Sequence, residues 1–374
     1  MTMTVTAPEV PAKGRSLWDD ARDRLMANRA AVTSLFVLVA IALLSVFGPM
    51  LSPHDFDTVY RDYVKVRASL QAYPRAEQVE PGFLAALKRA RLSVESYRRD
   101  GDSVVASVSS RREIDPRAVR YVDRSNLFRN AQLSDISADG KSAVMKADID
   151  HMHFYFGTDS NGRDMMARTF IAGRVSLTIG LLATIVAISI GVLYGATSGY
   201  LGGRTDQMMM RVVDVLYSLP FIFFVIMLVV FFGRNFVLMF IAVGAVEWLD
   251  MARIVRGQTL SIKRQEYVQA AEAMGVSDSG IVRRHIIPNT LGPVVVYMTL
   301  LVPKVILLES FLSFLGLGIQ EPMTSWGVLI SEGARNLQGA AWMLIFPSIF
   351  LTSTLFALNF IGDGLRDALD PKDR

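Results

Sequence analysis

Six apolar stretches, each about 20 residues or slightly longer, constrain this chain more than any other feature. They are Ala30–Leu51, Val175–Tyr200, Val212–Phe232, Phe236–Val255, Gly292–Leu317 and Ala341–Gly362. That length matches a hydrocarbon core of about 30 Å, and a soluble protein has no use for so many such runs. The first run follows Lys13, Arg15, Arg22, Arg24 and Arg29, as a signal peptide would. It is too long for a typical signal core, and Phe47 to Pro53 lacks the small residues of a cleavage site, so a retained anchor is expected.

An even number of spans puts both termini on one side, and the basic N-terminus places that side in the cytoplasm. Arg204, Arg211, the Arg253–Arg284 loop and the tail with Arg366, Lys372 and Arg374 then lie inside. Arg163, Arg168, Arg174, Arg234 and Arg335 fall outside, as exceptions. The expected fold is all-α and polytopic, with six transmembrane helices and a small periplasmic α/β insert. The expected divisions are a cytoplasmic amphipathic segment (1–29), a first transmembrane helix (30–51), the insert (52–155), a five-helix core (156–364) and a cytoplasmic tail (365–374). Ser16–Asn28 reads as a helix lying flat at the interface. Within the insert, Pro81–Arg99 looks helical, while Val104–Val108 and Ala143–Ile149 look like strands.

The net charge of +4 is spread over loops without a basic, aromatic-interleaved stripe, so nucleic acid is not the partner. Cysteine is absent, which removes disulfides and thiolate chemistry. His151 and His153 are too few for an expected metal site, and no Walker-type phosphate loop occurs. No catalysis and no cofactor are expected of this chain. Ala183, Ala187, Gly191, Gly195 and Gly199 recur every four residues in the second span and form a ridge for close helix packing. Glu247, Lys304 and Glu309 fall within apolar spans, where each costs roughly 2.5–3.5 kcal/mol if it faces lipid. They are expected either to line a translocation path or to pair with other helices. Asp250 and Arg253, three apart, are expected to pair with each other.

The most informative stretch is the cytoplasmic loop 259–291, and within it Glu266–Asn289. Tyr267, Ala270, Ala271 and Met274 share one face of a short helix, which Gly275 ends. Ser277 caps a second short helix with Ile281, Val282, His285 and Ile286 on its apolar face, limited or kinked by Pro288. The pattern predicts two short helices joined by a glycine elbow, a knob with small residues on its exposed side.

This stretch resembles the EAA loop of ABC importer permeases, a Glu-Ala-Ala, three residues, Gly, nine residues, Ile-x-Leu-Pro pattern. Gln269-Ala270-Ala271, Gly275 and His285-Ile286-Ile287-Pro288 keep its spacing, with Gln269 and His285 as departures. Further motifs are similar to the C-type subunit of the oligopeptide/dipeptide permease family. They include Gly157-Thr158-Asp159, Gly162-Arg163-Asp164, Asp206, Arg211, Asp214, Pro220, Val255-Arg256-Gly257, Leu312 to Gly318, Ser325-Trp326-Gly327 and Gly362 to Pro371. The long insert before Phe156 departs from shorter members. The resemblance implies a type I (MetI-like) permease of the bacterial inner membrane, paired with a related B-type permease. It also implies two ATPase subunits, which bind ATP and Mg, and a periplasmic peptide-binding protein. Tyr267, Gln269, Ala270, Ala271, Met274, Gly275, Ile286 and Pro288 would meet one ATPase. The expected cargo is an oligopeptide or dipeptide. A nickel chelate, a murein peptide or another small solute stays open as cargo. So do a proton-coupled secondary transporter and a receptor that senses through its insert.

Overall fold

The computed structural model describes residues 17–233 and 236–369. Lys13, Arg15, Ser16, Arg234, Asp370, Pro371, Lys372 and Arg374 lie outside the described residues. The first described elements are α1 (Leu17–Ala27) and α2 (Arg29–Leu51). Asn28 separates them because its side chain accepts from the backbone N–H groups of Ala30 and Ala31 and so starts α2.

Next comes a layer of helix on sheet. The helix α3 (Ala76–Arg89) covers β1 (Ser93–Asp100), β2 (Ser103–Ser109), β3 (Phe128–Ser134) and β4 (Ser142–Ile149), with the short α4 (Val119–Asp123) between β2 and β3. The strands are antiparallel in the order β1-β2-β4-β3. Alternate residues of β2 (Val104, Ala106, Val108) and β4 (Ala143, Met145, Ala147, Ile149) point inward and meet Val79, Phe83 and Leu87 of α3. The two expected strands are present. The expected helix Pro81–Arg99 is not: it stops at Arg89, and Arg91 turns the chain with φ of 62°. The remainder is the edge strand β1, whose hairpin to β2 turns at Gly101 with φ of 60°.

The insert is stapled to the segment that leads into the next helix. Tyr60 N–H donates to the Gly162 carbonyl (3.1 Å), Lys65 N–H to Asp159 (3.0 Å) and Val66 N–H to the Thr158 hydroxyl (2.8 Å). His54 Nδ1 lies 2.7 Å from Asp164 Oδ2, and Asp164 is the N-cap of that helix.

The capped helix, α5 (Met165–Leu201), is 37 residues long, or about 55 Å at 1.5 Å per residue. It starts well before the expected Val175, and the arginines of its first turns are satisfied there. Arg168 is enclosed in an ion network, and Arg174 Nη2 donates to the Val46 carbonyl of α2 (2.7 Å). Beyond α5 come α6 (Gly203–Ser218), α7 (Phe221–Phe232), α8 (Phe236–Ile262), α9 (Glu266–Ala273), α10 (Asp278–Ile281), α11 (Ile287–Phe314), α12 (Trp326–Arg335) and α13 (Trp342–Leu369).

The spans differ from the sequence expectation at two places. By length and apolar composition, the described residues give four crossing helices: Arg29–Leu51, Met165–Leu201, Asp278–Phe314 and Trp342–Leu369. The third expected span is broken into α6 and α7, bent by 80° where Pro220 interrupts the backbone ladder, and makes a fifth if counted as one. The fourth, α8, carries Glu247, Asp250 and Arg253 within its apolar stretch.

The ridge on α5 lies against α8 at Gly191, Gly195 and Gly199. A Cβ at Gly191 would lie 2.6 Å from the Met251 side chain and 2.9 Å from the Trp248 carbonyl, and one at Gly199 would lie 2.8 Å from Thr259 Cβ. Gly195 sits equally close to the α8 backbone at Ala252 and Arg256. The two helices therefore touch backbone to backbone.

Candidate functional site

The helix α9 is eight residues long and ends in a closed C-terminal turn. Gly275 holds φ of 80°, its N–H donates to the Glu272 carbonyl (3.0 Å), and Val276 N–H donates back to Ala271 (3.1 Å). A residue with a Cβ is disfavoured in that left-handed position, so the glycine is what lets the chain reverse. Ser277 then caps α10 through Gly280 N–H, 3.4 Å from its hydroxyl.

Two expectations about this loop are corrected. The face Tyr267, Ala270, Ala271, Met274 is split: Ala271 is buried together with Val268, whereas Tyr267, Ala270 and Met274 point outward, Met274 being 77% exposed. The underside of α9 packs with Ile281 and Ile286 against Ala196 and Tyr200 of α5 and Val255 of α8, which already fill it. Gln269 is exposed beside them and donates from Nε2 to the Arg264 carbonyl (3.3 Å).

The second correction concerns Pro288, which does not end the second helix. It falls at the start of α11, where a proline's missing N–H is harmless, and a single wide π-turn (Val282–Ile286) carries α10 straight into α11. The knob is thus one short helix plus the first turn of a membrane-length rod, not two free pieces.

The charges in the apolar helices separate into two sites. Lys304 of α11 lies 2.8 Å from Glu247 Oε2 and 3.0 Å from Asp250 Oδ2, both on α8. Asp250 therefore pairs with Lys304 and not with Arg253, whose Nη2 reaches Asp214 of α6 at 2.9 Å. The triad borders a cavity of about 330 Å³ walled by Tyr217, Leu219, Phe221, Phe224 and Leu308. Glu309 is elsewhere and wholly enclosed. It accepts from Ser313 (2.7 Å) and Ser176 (3.4 Å), and Ser176 also accepts from Trp326 N–H (3.2 Å). Its place joins α5, α11 and α12 and is away from the Lys304 cavity.

Two ion clusters escaped the sequence reading. At the head of α5, Asp159 meets Arg163 (2.7 Å) and Arg168, while Arg168 also meets Glu332 of α12 (3.0 Å) and Arg163 meets Glu321 (2.7 Å). Burial works against the Arg163 charge, but hydrogen bonding to Glu321 and Asp159 outweighs it and raises its pKa. The signal was present, since Arg163 and Arg168 were exceptions to the charge rule. At the foot of α5, Arg256 forks onto Asp206.

Residues 162–374 match the family model described as binding-protein-dependent transport system inner membrane component. Residues 16–72 match that of the N-terminal transmembrane domain of oligopeptide transport permease C. The oligopeptide transport system permease protein OppC of Escherichia coli (strain K12) is 47% identical over 373 residues, covering 100% of this chain and 97% of its own. The OppC protein of Haemophilus influenzae is 42% identical over 98% of this chain and 92% of its own. The dipeptide transport system permease protein DppC of Bacillus subtilis is 49% identical over 59% of this chain and 69% of its own. Because a family model spans more than half of the chain and full-length relatives stand well above 30% identity, the chain belongs to the binding-protein-dependent transport inner-membrane components, among the C-type oligopeptide permeases.

Proposed function

We propose that this chain is the C-type permease of an ATP-driven importer and forms, with a B-type permease, the path for oligopeptides or dipeptides. Two ATPase subunits bind ATP and Mg on the cytoplasmic side, and a periplasmic binding protein delivers the peptide. In this reading six crossings, counting α6–α7 and α8 as one each, put both termini in the cytoplasm. The insert at 52–155 then lies in the periplasm, and the α9 knob is cytoplasmic.

The observation that carries the reading is the exposed apolar cap of α9: Tyr267, Ala270 and Met274 beside Gly275. These residues stand out on a knob whose underside is already packed. An exposed apolar patch of this kind suits the groove of another protein. Closure of the ATPases on ATP would pull the cap, and the continuous α10–α11 helix would carry that movement into the membrane.

The test is a complex reconstituted in liposomes with its ATPases and binding protein. A Gly275→Trp chain combines a bulky ring with a φ of 80° that disfavours any Cβ. It should abolish peptide-stimulated ATP hydrolysis. Intact assembly together with intact stimulation would remove α9 from the coupling role.

Glu247 and Lys304 are proposed to border the translocation path at the α8–α11 cavity. The enclosed Glu309 serves this path only by holding α5, α11 and α12 together. Lys304→Met strands Glu247, which is 4% exposed, without its counter-ion. Import should fall about tenfold or more, since Glu247 is left as an unpaired charge within an apolar helix, where such a charge costs roughly 2.5–3.5 kcal/mol. Lys304→Arg should retain most of the import. Equal import by Lys304→Met and the unaltered chain would dismiss the triad.

A further inference from the structure

The foot of α5 is bound to two different bodies by polar contacts. On one side lies the knob. Tyr200 donates its hydroxyl to Asp278 Oδ1 of α10 (3.2 Å), and Lys263 Nζ at the end of α8 donates to the Tyr200 carbonyl (2.6 Å). Lys263 also sits 4.9 Å from the centre of the Tyr200 ring. With the apolar packing under α9 and the glycine seat of α8 on α5, these contacts make α5, α8 and α9–α11 one body.

On the other side lies α6, which leads into the bend and α7. It is exposed along most of its length, and its buried residues are Asp206 and Val213. Asp206 receives Arg256 Nε and Nη2 on its two oxygens, both at 2.5 Å, and the Ser198 hydroxyl of α5 at 2.6 Å. Lesser ties run beside it, one of them Arg253 Cζ 4.4 Å from the centre of the Tyr217 ring. Tyr194 donates its hydroxyl to the Met209 carbonyl (2.8 Å), and Arg253 meets Asp214 (2.9 Å) with both side chains exposed. An exposed ion pair of that kind holds little. A bidentate, charge-assisted fork is stronger and fixes orientation as well as distance.

We propose that the Arg256–Asp206 fork is the tie by which movement of the α9 knob reaches α6, the arm of the bent α6–α7 element that lies outside the apolar core. Asp206 and Arg256 are then positioning residues for coupled import. The inference rests on the reading of α9 as the part that an ATPase grasps. Without the fork, α5, α8 and α11 still follow the knob, and so does α7, whose Val225 is buried among them, but α6 lags, and the Tyr217 side of the cavity no longer changes in step with ATP closure. Coupling of this kind needs an element with two discrete arrangements, and in this proposal that element is the α6–α7 pair, bent by 80° at Pro220.

The test measures peptides imported per ATP hydrolysed by the complete complex in liposomes. Asp206→Asn keeps the shape and one acceptor but loses the charge. It should leave basal ATP hydrolysis within about twofold while peptides imported per ATP fall about tenfold, the loss expected for one charge-assisted hydrogen bond. Arg256→Lys, with a point charge in place of the fork, should fall between. The exchange pair Asp206→Arg with Arg256→Asp should restore import, which a loss of packing alone would not permit. An unchanged import ratio in Asp206→Asn overturns the proposal. So does an exchange pair that assembles and hydrolyses ATP yet stays uncoupled. A Gly275→Trp chain that remains fully coupled would instead sink the role of α9, a result no fork variant can mimic.

Discussion

Arg168→Met is expected to cost the fold about 3–5 kcal/mol, because removing one member strands the buried charges it was holding. Arg168 is 1% exposed and stands between Asp159, which is fully enclosed, and Glu332 of α12. After the change Glu332 has lost its cation, and Asp159 keeps Arg163 alone. The damage should concentrate where the network reaches α12, so Arg335 should become a trypsin site well below the unfolding temperature. Thermal unfolding of the detergent-solubilised chain, with trypsin digestion alongside, checks both parts. An unchanged midpoint would mean that the network contributes nothing net, an outcome open to a buried ion group replaced whole but not to one broken in half.

The second large effect is expected at the α5–α8 seat. Gly191→Leu would place a branched side chain where even a Cβ lies 2.6 Å from Met251 and 2.9 Å from the Trp248 backbone. Overpacking a fitted interface costs about 1–3 kcal/mol when neighbours can yield, and a backbone atom cannot yield as a side chain can. The helices must separate, and with them the underside of the α9 knob, which is seated on Ala196, Tyr200 and Val255. Cysteines introduced at Val186 and Gly244, where a Cβ on the glycine lies 3.2 Å from Val186 Cβ, should cross-link readily in the otherwise unaltered chain and poorly in the Gly191→Leu chain. Gly191→Ala should fall between. Equal cross-linking in all three would show that the close approach is dispensable.

How legible these sites were in the sequence depends on the range of the interactions that make them. Gly275 was legible because a left-handed C-terminal residue is a local demand, and so was the Ser277 cap. The strands β2 and β4 announced themselves by alternation. The edge strand β1 did not, because its residues are mostly polar and exposed on both faces, although Asp100-Gly101 next to the Val104 run was a hairpin signal that could have been used. Ala271 and Ile286, expected to meet an ATPase, face inward instead, and for a different reason. Tyr267 and Met274 are apolar, but the underside was already filled by Val268, Ala271, Ile281 and Ile286. Periodicity finds an apolar face and does not say whether a neighbour in the same chain covers it. Partners far apart in sequence were the least legible. Arg253 chose Asp214 over the nearby Asp250, and Lys304 chose α8 over its own helix, because charges in apolar surroundings are settled by which helices touch.

The staples between the insert and the head of α5 make the insert an outrigger. Hydrogen bonds at Tyr60, Lys65 and Val66 and the contact of His54 with Asp164 leave no free swivel where the insert meets the crossing helix. Any tilt of α5 must therefore sweep the far end of the sheet through a wider arc than the helix itself travels. A fluorophore or spin label at the exposed Asp139 turn would amplify small rocking of the buried core into a displacement large enough to follow in real time.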